Sequence, residues 1–407
     1  MLENRSPDSC LSFSSSRVSY KLSNGKRALE AVGGEIRPTK SLKLMGFCIT
    51  YDSDSSDYSL SGDGSQDQSD SNNNGGDSSD SHSLFNEIGR DSSIDCLLRC
   101  SRSDYGSIAS LNRNFRSLVK SGDIYKLRKQ NGFVEHWVYF SCQLLEWVAF
   151  DPVERKWMQL PTMPSSVTFM CADKESLAVG TDLLVLGKDG FSSHVIYRYS
   201  LLTNSWSSGM EMNSPRCLFG SASLGEIAIF ARGCDSQGKI LDFAEMYNSE
   251  LQTWVSLPRM NKPRKMCSGV FMDGKFYVIG GIGGAESKAL TCGEEYDLET
   301  KKWTPIPDLS PPRSRAEQDG NGMPPAAEAP PLVAVVDNQL YAADHADMEV
   351  RKACGERLIV IGGPKYSGGG FIELNSWVPR DGSPPQWTLL DRKHSPNFVY
   401  NCAVMGC

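Results

Sequence analysis

Four tryptophans set the terms for this chain. Trp157, Trp206, Trp254 and Trp303 follow one another at steps of 49, 48 and 49 residues. Tyr199, Tyr247 and Tyr296 each stand seven residues before the tryptophan of their unit, and Pro215-Arg216, Pro263-Arg264 and Pro312-Arg313 each begin nine residues after it. Three features locked in phase over three units are a structural repeat. Between them the hydrophobic period is two, in short runs such as HVIYRYS, EIAIFARG, KFYVIGG and RLIVIGG, which reads as strands of four to seven residues separated by tight turns.

A period near 50 residues built of four short strands is the layout of a propeller blade. One small twisted sheet cannot hide both of its faces, so each blade stacks on its neighbours around an axis, with Tyr and Trp filling the wedge between them. The glycine pair Gly280-Gly281 falls where the second strand ends, and Gly362-Gly363 repeats it. Other units carry Gly187-Lys188, Arg232-Gly233 and Ala342-Ala343 at that place. A shared, often degraded position flanked by strands is a turn that a side chain would obstruct, not a phosphate cradle, which would be single and lead into a helix with its own lysine. Cys171, Cys217 and Cys267 fall at closely similar places in the first strand of successive units and read as core thiols.

The phase breaks after Trp303. Residues 311–331 form a long Pro/Ala/Glu-rich loop, and Trp387 follows Trp303 by 84 residues where two periods plus that loop require more. Some thirty residues are missing after Lys352, enough for the outer strand of one blade and the inner strand of the next. The repeats therefore read as 170–215, 216–264, 265–312, a truncated 331–352, and 353–392, with a last strand at 398–405 that completes the first blade and closes the ring. Open blades would expose sheet edges.

Upstream, the composition changes twice. Residues 1–83 hold eight aspartates between Asp52 and Asp80, with no lysine or arginine among them, and offer almost nothing to bury. They read as a disordered acidic Ser/Asp-rich leader. In residues 84–130, apolar residues at Ile94, Leu97, Leu98, Ile108, Leu111, Phe115, Leu118 and Val119 follow three-and-four spacing, the mark of short amphipathic helices. Asp91 or Ser92 is positioned to cap the first, and Ser121-Gly122-Asp123 ends one helix and begins another. The expected fold is thus an all-β propeller over 131–407, preceded by a small helical module and a disordered N-terminus.

Little here asks for catalysis. The five histidines (His82, His136, His194, His345 and His394) are scattered, no G-x-S-x-G elbow occurs, and Cys96 and Cys100 lack companions at zinc spacing. Asp344, His345 and Asp347 read as an exposed turn, and Glu294-Glu295 as strand register. We expect no metal, no cofactor and no enzymatic activity. The formal net charge of -7 argues against a general nucleic-acid binder, and no basic-then-apolar signal or membrane-length apolar run is present. The expected compartment is the nucleus, the cytoplasm or both.

The units FYVIGG and EEYDLETKKW resemble kelch repeats, and the helical module resembles an F-box. With the acidic leader and the ending FVYNCAVMGC, residues 84–407 resemble plant F-box/kelch-repeat proteins. The resemblance implies a six-bladed propeller in intact relatives, and here five or six blades with one incomplete. It also implies docking of the helical module on a Skp-type adaptor, and through it a cullin-RING ubiquitin ligase, with the propeller presenting an unidentified protein target. Carried over, the adaptor face is Leu97, Leu98, Ile108, Leu111 and Phe115. The stretch SLFNEIGRDSSIDCLLR lacks the Leu-Pro with which such modules usually open. Arg216, Arg264 and Arg313 enter successive inner strands, so they are candidates to ring one face and meet the target. The alternative they carry is internal pairing with acidic residues. The alternative function is a kelch scaffold without ligase association.

Overall fold

The computed structural model describes residues 89–141, 146–171, 174–189, 193–283, 288–310, 331–343, 350–362, 370–380, 384–395, 399 and 401–407, with the backbone of two strands at 18–22 and 29–33. Arg313, Gly363, the Asp344–Asp347 turn and the acidic stretch Asp52–Asp80 lie outside these residues. Two units are distinguished, one of residues 1–43 and 135–407, the other of residues 44–134.

Among the described residues, the larger unit contains six four-stranded antiparallel sheets. Blade two is Lys174–Val179, Asp182–Asp189, Ser193–Ser200 and Ser205–Ser208, inner strand first. Blade three is Gly220–Leu224, Ile227–Ala231, Ala244–Asn248 and Thr253–Ser256, and blade four is Ser268–Met272, Lys275–Ile279, Gly293–Asp297 and Lys302–Ile306. Blade six is Val350–Cys354, Arg357–Gly362, Gly370–Trp377 and Thr388–Ser395. Blade one draws on both ends of the unit: the inner strand Asn401–Gly406 pairs with His136–Ser141, followed by Trp147–Asp151 and Lys156–Gln159. The inner strands touch in cyclic order from blade one to blade six and back to blade one, so the ring closes.

Blade five departs from the sequence expectation. The residues Val350–Cys354 pair with Arg357–Gly362 as the inner strand of blade six, so the boundary between the last two repeats falls before Val350 and not after Lys352. Among the described residues, blade five keeps only Leu332–Val336 and Gln339–Ala343 of its own repeat. Its outer half is built from Val18–Leu22 and Leu29–Gly33, the first pairing with Gln339–Ala343. The leader, expected to be disordered throughout, thus contributes a hairpin. The physical reason is the bare edge that the shortened repeat presents.

The aromatic spacing has a simple cause. Tyr199 lies directly opposite Trp206, Tyr247 opposite Trp254, and Tyr296 opposite Trp303 in the last two strands of their blades. Ring centroids are 5.5, 4.9 and 4.8 Å apart. Blade one has Phe150 opposite Trp157 at 4.7 Å, and in blade six Trp377 meets Trp387 at 5.7 Å. Between the paired strands, Asp151, Asn248 and Asp297 each use a side-chain oxygen to accept backbone N–H groups two or three residues on, the local bond that favours Asx at turns. Two residues before each tryptophan the backbone is left-handed, at Arg155, Asn204, Gln252 and Lys301.

Trp157, Trp206, Trp254 and Trp303 also tie their blades to the one before. The indole N–H of Trp206 donates to the Pro161 carbonyl at 2.8 Å, Trp254 to Met210 at 2.9 Å, and Trp303 to Pro258 at 3.0 Å. Trp157 closes the series on the Asp391 carboxylate of blade six at 2.8 Å. The double glycine is a steric requirement: Gly280 and Gly281 have φ of 63° and 93°, and a Cβ on Gly281 would sit 2.7 Å from the Lys265 carbonyl oxygen. Of the three cysteines at similar places in successive units, Cys267 is buried and Cys217 half-buried, whereas Cys171 ends the short helix Val167–Cys171.

These contacts predict graded losses. Trp206→Phe keeps the ring but removes the N–H and should cost about 1 kcal/mol, whereas Trp206→Ala should cost about 3 kcal/mol, read as shifts in urea unfolding. A second expectation concerns pH. Asp182 is buried beside Arg198 at 3.2 Å, and burial outweighs that partner and lifts its carboxyl to about 6. The native state then holds the proton more tightly than the unfolded chain. The stabilising contribution is complete below the unfolded value, about 4, and is lost as pH rises through 6. D182N, measured against the wild-type chain, should therefore gain about 2 kcal/mol of relative stability between about pH 4.5 and about pH 7.5.

Candidate functional site

The smaller unit is described over four helices: α1 (Arg90–Arg99), α2 (Tyr105–Leu111), α3 (Arg113–Ser121) and α4 (Asp123–Gln130). Gly89, not Asp91 or Ser92, precedes the first helical residue of α1. Asn112 caps α3 by accepting the Phe115 N–H at 2.9 Å. Gly122, at φ 82°, ends α3 in the left-handed conformation and hands the chain to α4, as the Ser-Gly-Asp triplet implied.

So few residues bury little apolar surface, and a polar knot supplements it. The Arg128 guanidinium, itself buried, donates to the Leu98 carbonyl at 3.1 Å, the Cys100 carbonyl at 2.5 Å, and the Tyr105 hydroxyl at 3.0 Å. Its Nε donates to the Phe133 carbonyl at 3.2 Å. The Tyr105 hydroxyl donates onward to the Leu97 carbonyl at 2.9 Å. One side chain from α4 thereby satisfies carbonyls that α1 leaves without an intrahelical partner at its C-terminal end.

This arrangement sorts the five candidate adaptor residues. Leu97, Leu98 and Phe115 are buried, and Ile108 is half-buried. Leu111, at the end of α2, is 69% exposed. An apolar side chain of that size in water is available for contact, whereas the buried three position the helices that carry it.

On the propeller, the arginine expectation is corrected. Arg216 and Arg264 are buried, with side chains at 0% exposure, and they face the interior of their own blades. Arg216 donates to the Glu245 carboxylate at 2.7 Å and the Phe243 carbonyl at 3.0 Å. Arg264 donates to the carbonyls of Gly280 and Cys292 at 2.9 and 2.6 Å, with Glu294 at 3.5 Å. The reason is local: the turn proline leads the chain inward, and a buried glutamate on the third strand supplies the counter-charge. The internal pairing is therefore the alternative that holds for these two.

Sequence reasoning missed a third member. Arg232 occupies the position of the first glycine of the pair, at φ 68°, and its buried guanidinium donates to Glu294 at 2.5 Å. Glu294 also accepts the backbone N–H groups of Asn261 and Lys262 at 2.7 and 3.0 Å. Burial pulls the Arg232 guanidinium down to about 10 against the attraction of Glu294. A signal for the glutamates was present, since Glu245 and Glu294 each stand two residues before the blade's tyrosine.

The exposed charge near this network belongs to Arg259 and Lys262. Lys262, Thr291, Cys292, Ile306 and Asp308 line a shallow recess of about 400 Å³, in which the Lys262 ammonium lies 3.7 Å from the Cys292 sulfur. Among the described residues no group of three or more His, Cys, Asp or Glu is gathered as a metal site, and no helix is long and apolar enough to cross a membrane.

Closed blades of this type and a preceding helical module define a kelch-repeat propeller protein. The Kelch motif pattern matches residues 170–213 and 263–310. The chain is 78% identical to the F-box/kelch-repeat protein SKIP11 of Arabidopsis thaliana over the whole of both chains. It is 58% identical to the Arabidopsis thaliana F-box/kelch-repeat protein At1g26930, over 82% of this chain and 85% of that one. A third Arabidopsis thaliana relative, At1g74510, is 56% identical over 77% of each. The chain belongs to the plant F-box/kelch-repeat family. The SKIP11 alignment runs over 470 positions against the 407 residues here, so that relative carries stretches with no counterpart in this chain.

The buried network predicts an asymmetric response. Glu294→Gln leaves Arg232 and Arg264 without a counter-charge in the interior and should cost at least about 3 kcal/mol. Arg232→Gly releases a left-handed non-glycine backbone, worth about 1 kcal/mol or more, while Glu294 keeps Arg264. That gain is outweighed by the space a fully buried side chain leaves and by the loss of one of the two cations facing Glu294. The thermal midpoint should therefore fall, though by less than in Glu294→Gln.

Proposed function

We propose that this chain is the substrate-recognition subunit of an SCF-type cullin-RING ubiquitin ligase, without catalytic residues of its own. The helical module docks on a Skp-type adaptor, and the propeller holds a protein target. The observation that carries the reading is the exposed Leu111 beside half-buried Ile108, on helices fixed by the Arg128 knot, in a member of the F-box/kelch-repeat family. A buried apolar anchor is what an interface needs at its centre, and the propeller supplies a rigid frame whose loops can vary. Such a protein would work in the nucleus or cytoplasm, where the ligase components are.

The buried state of Leu97 and Leu98 dictates the choice of variant, because a charge there would unfold the module. Leu111→Asp alters the surface alone. In co-purification with a Skp-type adaptor, Leu111→Asp is expected to weaken capture at least about tenfold, in line with loss of an interface anchor, while the helical circular-dichroism signal is retained. Val153→Asp, at an exposed propeller site, should leave capture unchanged. Absence of capture by the wild-type chain would instead make it a kelch scaffold acting without a ligase.

A further inference from the structure

The fifth blade differs from the other five in where its outer half comes from. Only residues 344–349 separate its second strand, Gln339–Ala343, from Val350, where the inner strand of blade six begins. Six residues do not hold two further strands and their turns. The half-blade is nonetheless well seated. Leu340 and Tyr341 are buried, and Tyr341 meets Trp377 of blade six edge-on at 5.7 Å. What the shortened repeat leaves bare is a row of backbone N–H and C=O groups along Gln339–Ala343, which must find partners.

We infer that the two strands Val18–Leu22 and Leu29–Gly33 are a built-in strand donor that finishes this blade from a distant part of the chain. Val18–Leu22 runs antiparallel to Gln339–Ala343, with Ser19 opposite Ala343, Tyr20 opposite Ala342, Lys21 opposite Tyr341 and Leu22 opposite Leu340. Leu29–Gly33 then pairs with Val18–Leu22 from Val18 opposite Gly33 to Leu22 opposite Leu29, making the fourth strand. The sequence supports the same unit independently. VSYKL and LEAVG are separated by six residues that contain Asn24-Gly25, a dipeptide that favours tight reversal between strands. The donor covers an outer edge and takes no part in the inner-strand contacts that close the ring, so it can leave without opening the ring. When it leaves, the edge it covered accepts an extended segment of another protein by the same main-chain pairing. The leader thereby guards a strand-binding edge, whatever the remainder of the propeller recognises.

Amide hydrogen exchange on the full-length chain tests this. Residues 339–343 should exchange slowly in the wild-type chain. A variant carrying Tyr20→Pro and Ala31→Pro, which cannot form the hairpin pairing, should exchange there about tenfold faster or more, as an opened edge does. Residues 275–279 in blade four serve as the unaffected reference. Adding a synthetic peptide of residues 16–35 should restore protection in the variant. Equal exchange in both chains overturns the inference. So does retained protection in a variant that sediments as a dimer, since a second copy would then be the cover. As a separate check, Ser19→Cys paired with Ala343→Cys should give a mapped 19–343 disulfide under mild oxidation, and Ser19→Cys with Gln339→Cys should not. A link in neither pair, or equally in both, also counts against the donor.

Discussion

The pairing of Asn401–Gly406 with His136–Ser141 is the constraint on which the propeller depends. Every blade buries its faces against two neighbours, so a gap anywhere exposes two apolar faces at once. Joining the last strand to the first blade turns a row of sheets into a ring with no terminal face. The same requirement explains how the chain treats its shortened repeat. The positions around the axis are filled first, with Val350–Cys354 serving as an inner strand, and the deficit is moved to the rim of blade five, where only an edge is left to cover.

Polar groups in this interior are arranged to be matched, not avoided. Glu245 and Glu294 are buried opposite Arg216, Arg232 and Arg264, and Arg216 and Arg264 also satisfy backbone carbonyls near the strand ends. Arg128 does the same for the helix ends of the smaller unit. In both places a planar guanidinium with five donors suits a cluster of acceptors that no single backbone group could serve. Paired this way, such charges hold loops at fixed positions, and losing one partner costs far more than the pair contributes.

Much of the fold could be read from the residues because its strongest contacts are short in sequence. Tyr199 and Trp206 lie seven residues apart since they face one another across one turn, and that geometry recurs in blade after blade. The turn's left-handed residue was not legible. Arg155, Asn204, Gln252 and Lys301 share a conformation but no chemistry. The Pro-Arg pattern was visible, yet the exposure of its arginine depends on a glutamate 29 residues away in one blade and 30 in the next. Spacing identified a repeated cation and not the side of the sheet it occupies. Leu97, Leu98 and Phe115 show the same limit in the helices, where an apolar period marks a face but not which of its members remain in water. The leader hairpin was hidden more completely: its partner strand lies more than three hundred residues downstream, and VSYKL and LEAVG around Asn24-Gly25 are a faint local signal in a segment otherwise poor in groups to bury.

Closure by the last strand also sets a clock. Glu135 and Cys407 exchange backbone hydrogen bonds at 2.9 and 3.1 Å, so the ring has its start and finish in the same place. While the chain is being synthesised, the edge of His136–Ser141 waits for nearly the whole propeller to be made before its partner emerges from the ribosome. The intermediate blades can form as they appear, but the ring closes only once Asn401–Gly406 has been made. A nascent chain that has not yet reached Asn401 is therefore an open arc, and a closed ring records that synthesis has passed Gly406.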